Sequence, residues 1–101
     1  MIKVLVIDDE NKTREFIAKM IKSFGLDLEV IAQGENVDTA IKAIQEIKPD
    51  LVMLDIQMPD GTGFDVLKRI ENKNFEVIFI TAHQEFAIKA IKFSALDYIL
   101  K

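Results

Sequence analysis

The apolar runs of this chain are short, and each ends on a polar residue. Val4-Leu5-Val6-Ile7 stops at Asp8-Asp9, Leu51-Val52-Met53-Leu54 at Asp55, Val77-Ile78-Phe79-Ile80 at Thr81, and Tyr98-Ile99-Leu100 at Lys101. Short β-branched and aromatic runs of this kind read as strands. They are expected over residues 3–8, Leu51–Asp55, Glu76–Thr81 and Asp97–Leu100. A further strand is expected over residues 28–32, where Glu29 breaks the apolar run and points to a sheet edge. Between these runs the apolar spacing changes to a helical period. The first helix is expected over residues 11–24, with Phe16, Ile17, Met20, Ile21 and Phe24 on one face and Gly25 as its stop. The second is expected over Val37–Ile47, with Val37, Ala40, Ile41, Ile44 and Ile47 in one stripe. Pro49 should close it by forcing Lys48 into an extended conformation. A turn over residues 58–63 leads to a third helix near 64–71, and a fourth is expected near 84–93.

Strands alternating with helices at short intervals are the pattern of stacked βαβ units. Right-handed crossovers then give an open, doubly wound α/β sheet, parallel and five-stranded, with helices on both sides. The run 51–54 is apolar throughout, as a strand covered on both faces requires. No repeat, linker or low-complexity stretch divides the chain, so residues 1–101 are expected to form one domain. In open α/β sheets, ligands bind beyond the carboxyl ends of the strands. Asp8, Asp9, Asp55, Thr81 and Lys101 all fall at that edge.

Composition narrows the function. Half of the 101 residues are hydrophobic and 30% are charged, as in an ordinary folded domain. Cysteine is absent, which excludes disulfides and thiolate metal sites, and a reducing cytoplasm is the expected compartment. No apolar run approaches the length that crosses a bilayer. A net charge of −4 lacks the basic footprint that nucleic-acid phosphates demand, so no direct nucleic-acid binding is expected.

Three carboxylates at one edge repel one another, and a cation between them relieves this. Oxygen donors without His or Cys favour a hard ion, and Mg²⁺ fits best. A lysine ammonium and a threonine hydroxyl aimed at the same point would complete a receptor for a tetrahedral oxyanion, as phosphoryl transfer requires. Asp55, on the central strand and followed by the loop 57–63, is the natural nucleophile for an aspartyl phosphate.

Four strings, in order and at matching spacing over the whole chain, resemble the receiver domain of bacterial two-component response regulators. They are Val6-Ile7-Asp8-Asp9-Glu10, Leu54-Asp55-Ile56-Gln57-Met58-Pro59 through Gly63, Ile80-Thr81-Ala82, and Asp97-Tyr98-Ile99-Leu100-Lys101. The resemblance implies a CheY-like, flavodoxin-like sheet of order 2-1-3-4-5. It implies Asp55 as phosphoacceptor and Asp9 with Asp55 as direct Mg²⁺ ligands. Asp8 would act mainly through a metal-bound water, and the main-chain carbonyl of Gln57 would add a ligand. Thr81 and Lys101 would hold phosphoryl oxygens, and Thr81 with Tyr98 would form the switch. Gln57 and His83 would flank the attacking water and tune the phosphate lifetime. The implied partners are a histidine kinase or phosphotransfer protein, and an output domain or other partner reached through the fourth helix and fifth strand (Ile88, Ala90, Ile91 and Phe93). The wording of residues 80–101 is most similar to receivers attached to LytTR-type DNA-binding domains. Asn11 and Arg14 stand close enough to the edge to touch a phosphodonor.

Receivers continue past the lysine position with a proline and a fifth helix, whereas this chain ends at Lys101. The expectation is a C-terminally truncated receiver lacking that helix, with a partly bare apolar sheet face. Either the gene product continues or two copies pair to cover that face. The same residues have plainer readings. Asp8 and Asp9 are suitable helix caps, Thr81 a strand-end hydrogen bonder, Tyr98 packing, His83 a solvated loop residue. The same positions bear on other functions. A phosphohydrolase of the haloacid-dehalogenase type needs a second aspartate where Gln57 stands. A nucleotide-binding domain needs a Gly-rich phosphate motif that does not occur. A pseudo-receiver acting by protein contacts alone remains the alternative.

Overall fold

The computed structural model describes residues 1–23, 27–71, 73–82, 95 and 97–100. Phe24, Gly25, the helix expected near 84–93, His83 and Lys101 lie outside the described residues. Five parallel strands make the main sheet: β1 (Ile2–Ile7), β2 (Leu28–Gly34), β3 (Leu51–Asp55), β6 (Glu76–Thr81) and β7 (Asp97–Leu100). Their order is β2-β1-β3-β6-β7, the expected 2-1-3-4-5 counted over these five. A two-stranded antiparallel ribbon, β4 (Gln57–Met58) with β5 (Gly61–Thr62), follows β3. Three helices occur among the described residues: α1 (Asn11–Ser23), α2 (Val37–Ile47) and α3 (Gly63–Arg69).

The two faces of the sheet carry different cores, because side chains alternate along each strand. Leu5, Ile7, Val52, Leu54, Val77 and Phe79 pack with Val37, Ala40 and Ile44 of α2 and Phe64, Val66 and Leu67 of α3. At the centre of this core the Phe64 and Phe79 rings lie 4.9 Å apart, tilted by 52°. On the other face Val4, Val6, Met53 and Ile80 meet Ile17 and Ile21 of α1. Every residue of β3 after Leu51 is buried, as expected for the central strand.

Several local expectations are corrected. Strand one spans Ile2–Ile7 rather than 3–8, so Asp8 stands just past the ladder. Strand two continues to Gly34, because its pairing with β1 shifts between Val4 and Leu5 and absorbs one extra residue. It is an edge strand, as Glu29 suggested. Lys48 is not extended but left-handed, at φ 53° and ψ 66°. Its N–H closes the helix on the Ile44 carbonyl at 3.1 Å, and a left-handed residue is a common way for a helix to end, whereas the following proline disfavours only the right-handed helical region. Helix three begins at Gly63 and ends at Arg69, not 64–71. Thr62 and Asp65 form a reciprocal capping box that starts the helix, and an extended Ile70 stops it. Most of the turn expected over 58–63 belongs to the β4–β5 ribbon, which begins at Gln57 and ends at Thr62. Finally, Phe16 does not share the buried face of Ile17 and Ile21, since it is 66% exposed. It borders an apolar groove of about 620 Å³ between α1 and the β6–β7 edge, lined also by Met20, Ile80, Ile99 and Leu100.

Candidate functional site

Strand register brings the acidic residues to one edge. Ile7 pairs with Leu54, so Asp8 and Asp55 each occupy the next position on neighbouring strands. Asp55 pairs with Ile80, which puts Thr81 one step further along β6. Asp8, Asp55 and Thr81 are all buried, the three polar side chains in the core among the described residues. Burying a carboxylate is unfavourable unless its oxygens are satisfied. Asp8 is tied in on several sides: its N–H donates to the Gly34 carbonyl at 3.0 Å, and its Oδ1 accepts the Glu10 N–H at 2.9 Å. The Arg14 guanidinium donates to the Asp8 carbonyl at 2.6 Å and to Asn11 Oδ1 at 3.0 Å. Asn11 and Arg14 thus belong to the frame of the Asp8 turn.

Asp8, Asp9 and Glu10 place one carboxylate oxygen each within 4.8 Å of one another. Asp8 is buried, while Asp9 and Glu10 are exposed. A donor set of hard oxygens at this spacing suits a small divalent cation such as Mg²⁺. Asp55 is not part of that three-carboxylate group, but reaches the edge from the adjacent strand. Glu10 is the member that sequence reasoning did not single out. The signal was its place directly after Asp8-Asp9, where the chain turns from β1 into α1.

Beyond Asp55 the chain is held closely. The Ile56 N–H donates to the Ile80 carbonyl at 3.2 Å, and the Gly63 N–H donates to the Ile56 carbonyl at 2.8 Å. Gly63 lies so near Asp55 that a Cβ built on it would stand 2.6 Å from the Asp55 carbonyl oxygen. Gln57 is exposed and pairs with Thr62 in the ribbon. Tyr98 sits opposite Phe79 across the β6–β7 ladder, half-buried against the core between the sheet and α2–α3. Thr81 pairs with Leu100 in the same ladder.

The family model described as the response regulator receiver domain matches residues 4–101. The chain belongs to the receiver family of response regulators. This receiver is 40% identical, over its whole length, to a response regulatory protein of Vibrio cholerae serotype O1, of which it covers 43%. It is 35% identical to the sensory transduction protein LytT of Bacillus subtilis, again over its whole length and 42% of that protein. The chain thus spans less than half the length of these curated relatives. Among solved structures it resembles the response regulator protein TrrA of Thermotoga maritima in complex with Mg²⁺–BeF, with a TM-score of 0.84 and 30% identity, covering 100% of this chain and 87% of that one. Receivers are signalling domains of two-component systems rather than turnover enzymes. No helix among the described residues is long and apolar enough to cross a membrane.

Proposed function

We propose that this receiver accepts a phosphoryl group on Asp55 from a phosphohistidine of a histidine kinase or phosphotransfer protein, and relays that event through β6 and β7. The observation that carries the reading is the meeting of buried Asp55 with Asp8, Asp9, Glu10 and buried Thr81 at one end of the central strands. An Asp55 carboxylate oxygen attacks phosphorus as the phosphorus–imidazole nitrogen bond breaks, and the departing imidazole regains a proton. Asp9, Asp55 and the Gln57 carbonyl are assigned to Mg²⁺ directly, and Asp8 through a water. The bound ion supplies positive charge to the phosphoryl oxygens in the transition state. The TrrA complex with Mg²⁺–BeF supports this by likeness.

Thr81 is assigned to donate its hydroxyl to a phosphoryl oxygen, with Lys101 contributing a second contact. Drawing Thr81 towards Asp55 leaves room beside Phe79 into which Tyr98 can turn, so phosphate biases one of two packed states. Gln57 and His83 are assigned to the path of the hydrolytic water and so to phosphate lifetime. Residues 1–101 act as the receiving part of a longer signalling protein of LytTR type, in the cytoplasm. Its output is reached through residues 84–93, expected from the sequence to be helical, and β7, and the groove beside Phe16 is covered by further chain or by a second copy.

The test is Mg²⁺-dependent labelling with acetyl phosphate on the parent chain and on Asp55→Asn. One label per parent chain and none on the variant is expected. Equal labelling of both would move the acceptor elsewhere, and no labelling of either would favour a receiver that works by contacts alone.

A further inference from the structure

The β4–β5 ribbon, which carries Gln57 at its base, is fastened at its tip to a distant element. Both carboxylate oxygens of Asp60 accept main-chain N–H groups from the first turn of α2. Oδ1 accepts from Val37 at 2.8 Å and Oδ2 from Asp38 at 3.1 Å. The helix has its own local cap: Asn36 Oδ1 accepts the Thr39 N–H at 2.8 Å, and the Asn36 carbonyl accepts the Ala40 N–H at 3.0 Å. The Asn36 N–H donates to Thr39 Oγ1 at 3.2 Å, so the orphan donors of the helix start are accounted for, with Asp60 the acceptor for those of Val37 and Asp38. These bonds, led by that from Val37, hold the Asp60 carboxyl below its ordinary pKa.

The rest of the ribbon is equally constrained. Gly61, at φ 148°, seats the tip so closely that a Cβ would lie 3.2 Å from Val37 Cγ2 and 2.9 Å from Asp65 Oδ2. At the base Gln57 pairs with Thr62, which caps α3. A ribbon of two residues per strand has little stability of its own. Its geometry therefore comes from the two helix starts that grip it.

We infer that Asp60 is a positioning residue for the divalent-cation site, holding the Gln57 main chain where its carbonyl can serve Mg²⁺. The inference rests on the Mg²⁺ reading given under Proposed function. Mg²⁺ tolerates little departure from octahedral geometry, so loosening the ribbon lowers affinity without deleting any ligand. Outer-shell partners of metal ligands are worth about 10- to 100-fold in affinity, and the lower end suits a brace that acts through the backbone.

The experiment is a Mg²⁺ titration followed by backbone amide NMR shifts on the parent, Asp60→Ala, Asp60→Asn and Asn36→Ala. Asp60→Ala should raise the Mg²⁺ dissociation constant about tenfold. Asp60→Asn, which keeps one acceptor oxygen, should fall between it and the parent. Asn36→Ala removes the local cap at Thr39 but leaves the Val37 and Asp38 N–H bonds to Asp60 in place, so it should lower the unfolding midpoint and leave Mg²⁺ affinity within about twofold, below the outer-shell range. Unchanged affinity in both Asp60 variants, or an equal loss in Asn36→Ala, overturns the inference while leaving the Mg²⁺ site standing. A parent chain that takes up no Mg²⁺ overturns the site and the inference together.

Discussion

Gly63→Ala puts the smallest possible side chain at the tightest point behind the candidate site. The added Cβ would stand 2.6 Å from the Asp55 carbonyl oxygen and 3.1 Å from Leu54 Cγ, where ordinary contact begins near 3.4 Å. Neither neighbour yields easily. The oxygen is main chain of the central strand, and Leu54 is fully buried. The Gly63 N–H also donates to the Ile56 carbonyl at 2.8 Å, which prevents the helix start from sliding away. Overpacking of this kind costs about 1–3 kcal/mol, and the backbone contact places Gly63→Ala towards the upper end. Alanine recovers up to about 1 kcal/mol of helix propensity, less at the first helical position, leaving a net loss of about 2 kcal/mol. For a domain of this size that corresponds to a fall in Tm of about 8–16 °C. The assay is thermal and urea unfolding of the two chains, with phosphoryl labelling of Asp55 as a second readout. A variant as stable as the parent and labelled as fast would refute the claim that Gly63 is there to let α3 approach Asp55.

Other substitutions probe separate parts of the argument. Lys48→Gly removes a side chain from the left-handed cap of α2, and should stabilise the fold by about 1 kcal/mol in urea unfolding. Thr81→Ala should still allow labelling of Asp55 but uncouple the switch. Because Tyr98 is the only tyrosine and tryptophan is absent, the change in intrinsic fluorescence on labelling should disappear in this variant. Asp60 and Asp65 have carboxyls held below their ordinary 3.8, chiefly by the N–H groups of Val37 and Thr62, with Arg69 near both and Lys68 near Asp65. Their contribution to stability is present above that value and is lost as pH falls through the lowered ones. The Tm of Asp65→Asn should therefore change less than that of the parent in a pH series descending from about 3.8.

The parts of this molecule that were legible in the sequence are those written in local periodicity. Apolar runs located the five main strands, and their polar ends placed Asp8, Asp55 and Thr81 at one edge, because parallel strands in near register must bring their ends together. Features set by long-range geometry were not legible. The ribbon over 57–62 is too short to show any alternation, and its tie to α2 joins Asp60 to residues 22 and 23 positions away. The left-handed Lys48 avoids the right-handed helical region before Pro49 as well as an extended residue would, so the proline alone does not decide between the two. Phe16 shares a helical period with Ile17 and Met20, yet the side of α1 it occupies faces a groove rather than the sheet.

The central claim, that the acidic edge is a Mg²⁺-dependent phosphoryl site on Asp55, is most directly tested by ¹⁹F NMR of bound beryllofluoride. The parent chain should show bound fluoride resonances only when Mg²⁺ is present, and Asp55→Asn should show none. Bound resonances that persist without Mg²⁺, or that survive in Asp55→Asn, would contradict it.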